Sequence, residues 1–139
     1  LEPHAPLPSA RLRAMQTLVE NGIPTGVMLM PILPFIEDTP ENITAIVEAA
    51  HQHGASYILP AMALTLRDRQ REYYFEKLDE HYPGLSEKYR RAYGESPQNV
   101  PSNIRALEAH FTRLCKQYGI ATRVPRYTPP PQPEQLTWF

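Results

Sequence analysis

Gly22-Ile-Pro-Thr-Gly-Val-Met-Leu-Met-Pro-Ile-Leu-Pro-Phe-Ile-Glu-Asp38 decides how this chain is read. The apolar run Thr25–Met30 predicts a short buried strand, halted at Pro31-x-x-Pro34 because proline cannot donate to a ladder. Asp38 or Thr39 then caps a new helix, with Pro40 in its first turn and Glu41 three residues after Asp38. A strand that feeds directly into a helix is half of a βα unit. In parallel α/β proteins the loop beyond the strand's C-terminal end is where ligands sit.

The same device recurs on either side. Upstream, a helix is expected from Ser9 to Asn21, with Leu12, Met15, Leu18 and Val19 as its apolar stripe and Gly22 ending it. Downstream, Ile43, Ile46, Val47 and Ala50 form the next stripe, Gly54 closes the helix, and Tyr57-Ile58-Leu59 read as a strand stopped by Pro60. Near the end, Ile104, Leu107, Phe111, Leu114, Cys115 and Tyr118 line a helix that Gly119 terminates, followed by weak strand character over Ile120–Val124. The junctions Asn21-Gly22-Ile23, His53-Gly54-Ala55 and Tyr118-Gly119-Ile120 argue for consecutive βα units and an α/β fold. A curved parallel sheet of two or three strands, with helices on its outer face, follows from right-handed crossovers.

Residues 66–94 differ. They are helical in pattern, broken by Pro83-Gly84, and hold Tyr73, Tyr74, Phe75, Tyr82, Tyr89 and Tyr93, six of the thirteen aromatics. Arg67, Arg69, Arg71, Lys77, Lys88, Arg90 and Arg91 invite a nucleic-acid reading. Asp68, Glu72, Glu76, Asp79, Glu80 and Glu87 nearly cancel them, which favours a solvated amphipathic face. The segment 125–139, with Pro129-Pro130-Pro131 and Pro133, reads as an extended tail.

Bulk composition narrows the classes further. The 139 residues suit one modest domain, and a net charge of −1 supplies no field toward nucleic acid or membranes. A single cysteine, Cys115, excludes an internal disulfide and suits a reducing, cytoplasmic compartment. No apolar run approaches the ~20 residues of a membrane span, and no signal peptide opens the sequence. Leu1 stands where an initiator methionine would, and three prolines fall in the first eight residues, which reads as a cut through a longer protein. No phosphate loop, dinucleotide fingerprint, nucleophile elbow or zinc spacing occurs. His51 and His53, two apart, do not share a helix face and read as a solvated helix end rather than a metal pair.

Several motifs taken in order resemble a known family. They are Glu2-Pro3-x-Ala5-Pro6, Arg11-Leu12, Leu18-x-x-x-Gly22-Ile23-Pro24, Pro31-Ile32-Leu33-Pro34 with Asp38, and Ala50-x-x-x-Gly54-Ala55. Tyr89-x-x-x-Tyr93-Gly94 and Leu114-Cys115-x-x-x-Gly119-Ile120 follow them. Together they resemble the radical SAM superfamily, in particular its DNA repair photolyase-like branch, related to spore photoproduct lyase. The resemblance covers residues 1–124 and implies a partial (β/α) barrel fragment that includes 66–94 as a helical insertion. It also implies an enzyme that reductively cleaves S-adenosylmethionine at a [4Fe-4S] cluster.

The family's Cys-x-x-x-Cys-x-x-Cys loop is missing from this sequence. The resemblance therefore makes the chain the C-terminal half of such an enzyme, inactive in isolation, whose main partner is the missing N-terminal half of the barrel. By position it puts Glu2 at the end of the family's fourth strand, Met30, Pro31 and Leu33 at the end of the fifth, and Leu59, Pro60 and Ala61 at the end of the sixth. There they would line the S-adenosylmethionine site, with nucleic acid as an implied substrate and tyrosines as candidates for a hydrogen relay. A half-barrel would expose its inner sheet face, so a second copy of the chain, or the tail with Trp138 and Phe139, is expected to cover it. The competing expectation is a stand-alone interaction module that docks a partner through the basic and aromatic helices of 66–94.

Overall fold

A computed structural model describes residues 4–126. Their order is α1 (Pro8–Glu20), β1 (Gly26–Leu29), α2 (Pro40–Gln52), β2 (Tyr57–Pro60), β3 (Leu64–Thr65), α3 (Asp68–His81), α4 (Leu85–Tyr93), β4 (Gln98–Asn99) and α5 (Ile104–Tyr118). The fold is mixed α/β, with five helices and short strands, and no barrel closes among the described residues.

The three glycine junctions share one physical device. Gly22, Gly54 and Gly119 all adopt left-handed φ near +70°, a conformation that costs an L side chain energy. Just beyond each, a backbone N–H reaches back five residues: Ile23 to the Leu18 carbonyl, Ala55 to Ala50 and Ile120 to Cys115, at 2.9–3.0 Å. That is the Schellman closure, and it satisfies carbonyls the helix end leaves open.

The helix starts depart from expectation in detail. α1 begins at Pro8, with Leu7 as its N-cap and no side-chain cap, so Ser9 lies inside the first turn. For α2 the cap is Thr39, whose Oγ1 accepts from the Asn42 N–H at 3.2 Å. Asp38 instead offers its carbonyl to Asn103 Nδ2 at 2.9 Å, tying the start of α2 to the start of α5.

β1 and β2 pair in parallel with Gly26 opposite Tyr57, Val27 opposite Ile58, Met28 opposite Leu59 and Leu29 opposite Pro60. A Cβ built on Gly26 would lie well inside van der Waals contact with the Tyr57 carbonyl and ring, so only glycine admits this approach. Of the expected third strand only Ala121 takes part, through one parallel bridge to Tyr57. Thr122, Arg123 and Val124 after it are exposed, and Pro125 follows. β3 and β4 form a two-residue antiparallel ladder that spacing did not anticipate, because two-residue strands carry no period to read.

Two hydrophobic clusters result. In the first, Ile43, Val47 and Ala50 of α2 and Leu107, Phe111, Leu114 and Cys115 of α5 are buried together with Leu29 and Ile58 of the sheet. The second gathers Leu64, Leu66, Phe75, Leu78 and Tyr89 around the α3–α4 hairpin. The segment after β1 joins them: Ile32 belongs to the first cluster, while Leu33, Phe35 and Ile36 pack against the second.

Candidate functional site

Alternation along a strand sends neighbouring side chains to opposite faces. Leu29 and Ile58 face the helices and are buried, so Met28 and its partner Leu59 face the other way. Met28 is 59 % exposed and Met30 39 %, so this second face is apolar and largely uncovered by the described residues. Among those residues β1 pairs only with β2, which leaves its other edge with free backbone N–H and C=O groups.

The parallel register brings the two strand ends together. Leu29 lies opposite Pro60, and the Ala61 N–H donates to the Leu29 carbonyl at 3.0 Å. Met30 and Pro31 therefore stand beside Pro60 and Ala61 on one rim, all four exposed, with half-buried Leu59 just behind. The Met30–Pro31 peptide is cis. Leu33 does not join this rim; it turns away onto the hairpin cluster. Glu2 lies outside the described residues, as do Trp138 and Phe139.

The loop that follows is held from several sides. The Ile36 and Glu37 N–H groups both donate to the Leu33 carbonyl, at 3.2 and 2.9 Å. The Leu33 N–H donates to Glu37 Oε2 at 3.3 Å, and Asn42 Nδ2 donates to the Glu37 carbonyl. From α4, the hydroxyl of the fully buried Tyr89 donates to the Pro34 carbonyl at 2.6 Å. Tyr74 donates in turn to the Tyr89 oxygen at 3.0 Å. Burial pushes the Tyr89 phenol far above its ordinary range, and raises Tyr74 and Tyr93 as well, so all three remain protonated donors at neutral pH.

Phe35 pays for this arrangement with a φ of 66°, a left-handed conformation costing roughly 1–3 kcal/mol in a non-glycine residue. Its ring is fixed edge-on against Tyr89, with centroids 5.3 Å apart. Sequence reasoning named Tyr89 as part of a motif but missed its bond to Pro34 and the left-handed backbone of Phe35. The only signal was an aromatic set between prolines and a tyrosine four residues from Leu85 and from Tyr93, and neither points across 55 positions to Pro34.

Chemically, the rim offers flat apolar surface and backbone hydrogen bonds rather than a nucleophile or a base. Cys115 does not fit an iron–sulfur site: it is 1 % exposed between α2 and α5, and burial raises its thiol pKa when cluster ligation needs a thiolate. Among the described residues no group of three or more His, Cys, Asp or Glu gathers in a way that could hold a metal ion. His53 Nδ1 lies 2.8 Å from the Ala49 carbonyl, and the His51 ring packs on Tyr118 with centroids 4.7 Å apart. No described helix is long and apolar enough to cross a membrane.

Comparison with known proteins adds a sense of scale. The chain is similar to three uncharacterized mycobacterial proteins, one from Mycobacterium bovis and two from Mycobacterium tuberculosis, at 27 % identity over 121 residues. The match covers 87 % of this chain and 35 % of each relative, so the chain spans about a third of their length. No family model and no solved structure matches the chain.

Proposed function

We propose that this chain is the C-terminal part of a radical SAM enzyme and supplies one wall of its S-adenosylmethionine site. One observation carries the reading. The C-terminal ends of two parallel strands lie side by side, bearing a rim that is exposed and apolar and a backbone edge that is unpaired among the described residues. Parallel sheets are normally covered on both faces, so a bare face and a free edge mark where further structure belongs. The motif series of the sequence and the threefold greater length of the relatives support the same reading.

In this proposal the cluster and S-adenosylmethionine, when bound to the complete enzyme, supply the 5′-deoxyadenosyl radical. This chain offers no ligand for the cluster, which would be held by polypeptide outside it. Its own part is to bind and orient. Met30, Pro31 and Pro60 would offer the adenine an apolar surface, with Leu59 behind them and the Ala61 backbone beside them. Leu33 contributes from behind, by fixing the loop to the hairpin. The substrate would enter from the side of the α3–α4 hairpin.

The test uses a full-length mycobacterial relative. The two-thirds of that protein not matched by this chain should contain a Cys-x-x-x-Cys-x-x-Cys loop. Anaerobic reconstitution with iron and sulfide should then give a protein that converts S-adenosylmethionine to 5′-deoxyadenosine under reducing conditions. A relative lacking the cysteine loop, or one that loads a cluster yet forms no 5′-deoxyadenosine, overturns the proposal.

A further inference from the structure

The chain's four methionines fall into two pairs. Met15 and Met62 are sealed in the first cluster, 6 % and 5 % exposed, whereas Met28 and Met30 stand on the bare face of the sheet. We propose that Met28 and Met30 form a peroxide-responsive modification site, whose oxidation to sulfoxides turns that face from apolar to polar without unfolding the chain. The inference stands on the exposure of these side chains and does not need the radical SAM reading.

Placement makes the two a unit. An extended chain advances about 3.3 Å per residue and returns to the same face every second residue, so the two Cα atoms lie roughly 7 Å apart. Met28 faces Leu59 in the register, and Pro31, Pro60 and Ala61 continue the surface beyond Met30. None of these neighbours carries a charged or polar side chain, so the two thioethers are the soft, reactive groups of an otherwise inert patch. Cys115, the chain's one thiol, is sealed in the first cluster and does not compete for an oxidant.

The step needs only a hydroperoxide as co-reactant. A thioether lone pair attacks one peroxide oxygen, and the S–O bond forms as the O–O bond breaks. The proton on the transferred oxygen passes to the departing hydroxide, which leaves as water. Sulfur loses two electrons and the peroxide gains them. The product is a dipolar S–O group on a side chain that was apolar. At Met28 and Met30 water solvates that dipole, so the fold bears no cost. At Met15 or Met62 the same dipole would be buried without a partner, and an oxidant reaches those sulfurs only when the core opens. Methionine sulfoxide reductases, one for each epimer, reverse the change: two thiols join as a disulfide and the oxygen leaves as water.

Dilute hydrogen peroxide applied to the whole folded chain tests the proposal, read by peptide mass mapping and by the fluorescence of bound anilinonaphthalene sulfonate. Oxidation should stop at two added oxygen atoms, on Met28 and Met30, at a rate at least about tenfold above that of Met15 and Met62. Dye fluorescence, which reports exposed apolar surface, should fall at least about twofold while circular dichroism stays unchanged. The two reductases should restore it. A Met28→Leu, Met30→Leu double variant should bind dye equally before and after peroxide. A Met28→Gln, Met30→Gln double variant should bind it weakly without any oxidant. Comparable oxidation of Met15 or Met62 in the folded chain overturns the proposal, as does resistance of Met28 and Met30 to peroxide. So does unfolding once Met28 and Met30 are oxidised, unchanged dye fluorescence, or a leucine variant that still loses dye to peroxide.

Discussion

Around Val47 the interior is aliphatic, made of isoleucine, valine, leucine and alanine side chains that interlock two helices with a sheet. Around Tyr89 it is aromatic, and a chain of hydroxyls runs through it from Tyr74 to the carbonyl of Pro34. The first kind of core is assembled by periodicity: any apolar residue of suitable size at the right spacing serves. The second depends on direction, because a buried hydroxyl must find its one acceptor. The first therefore builds a scaffold, while the second fixes the position of one loop. That loop lies between the two clusters and shapes the rim.

Paired truncations test whether the two cores share one fate. Leu107 and Leu78 are each 0 % exposed, one in each cluster. Leu107→Ala and Leu78→Ala should each cost about 2–5 kcal/mol. If the cores are coupled through Ile32–Ile36, urea denaturation will shift as a single transition in both variants. A separate early transition in Leu78→Ala alone would show that the hairpin melts by itself.

Removing only the hydroxyl sharpens the contrast. Tyr89→Phe preserves the ring but strands the Pro34 carbonyl and removes the acceptor for Tyr74, at a cost of about 1–3 kcal/mol. Amide exchange should speed up over 32–37 while α2 and α5 remain protected. Uniform exchange throughout the chain would mean that Tyr89 contributes bulk alone.

The smallest effect concerns pH and belongs to the hairpin only. The hydrogen bond from the Ser86 hydroxyl to Asp79, at 2.5 Å, is the main cause holding that carboxyl below its ordinary value. Because the folded pKa is the lower one, the stabilisation is complete above the unfolded value of ~3.9 and is lost as pH falls through the folded value. Asp79→Asn should lower stability at neutral pH and leave it nearly unchanged below the folded value, which flattens the acid limb of a pH titration of stability. An unchanged acid limb would show that the contact is not coupled to folding.

The contrast also explains what could be read from residues alone. Gly22, Gly54 and Gly119 announced three helix ends through purely local geometry, and the stripes on α2 and α5 announced their buried faces. The parallel pairing of β1 with β2 followed from the same logic. Met30, Pro31, Pro60 and Ala61, which the resemblance grouped, lie side by side because they end or follow two strands paired in parallel. Leu33 packs against the hairpin cluster while Ile32 beside it joins the other core, a choice that a short apolar pair between two prolines leaves open to local pattern. The bond from Tyr89 to Pro34, the positive φ of Phe35 and the β3–β4 ladder all depend on contacts across many residues, which leave no period to find.

Cys115 gives the molecule a built-in clock. One thiol in 139 residues, sealed where α2 meets α5, meets an alkylating reagent only when those helices part. Its labelling rate therefore counts separations of the aliphatic scaffold and is blind to movements of the hairpin that leave α5 seated. A change at the hairpin would alter that rate only if it is transmitted through the shared loop.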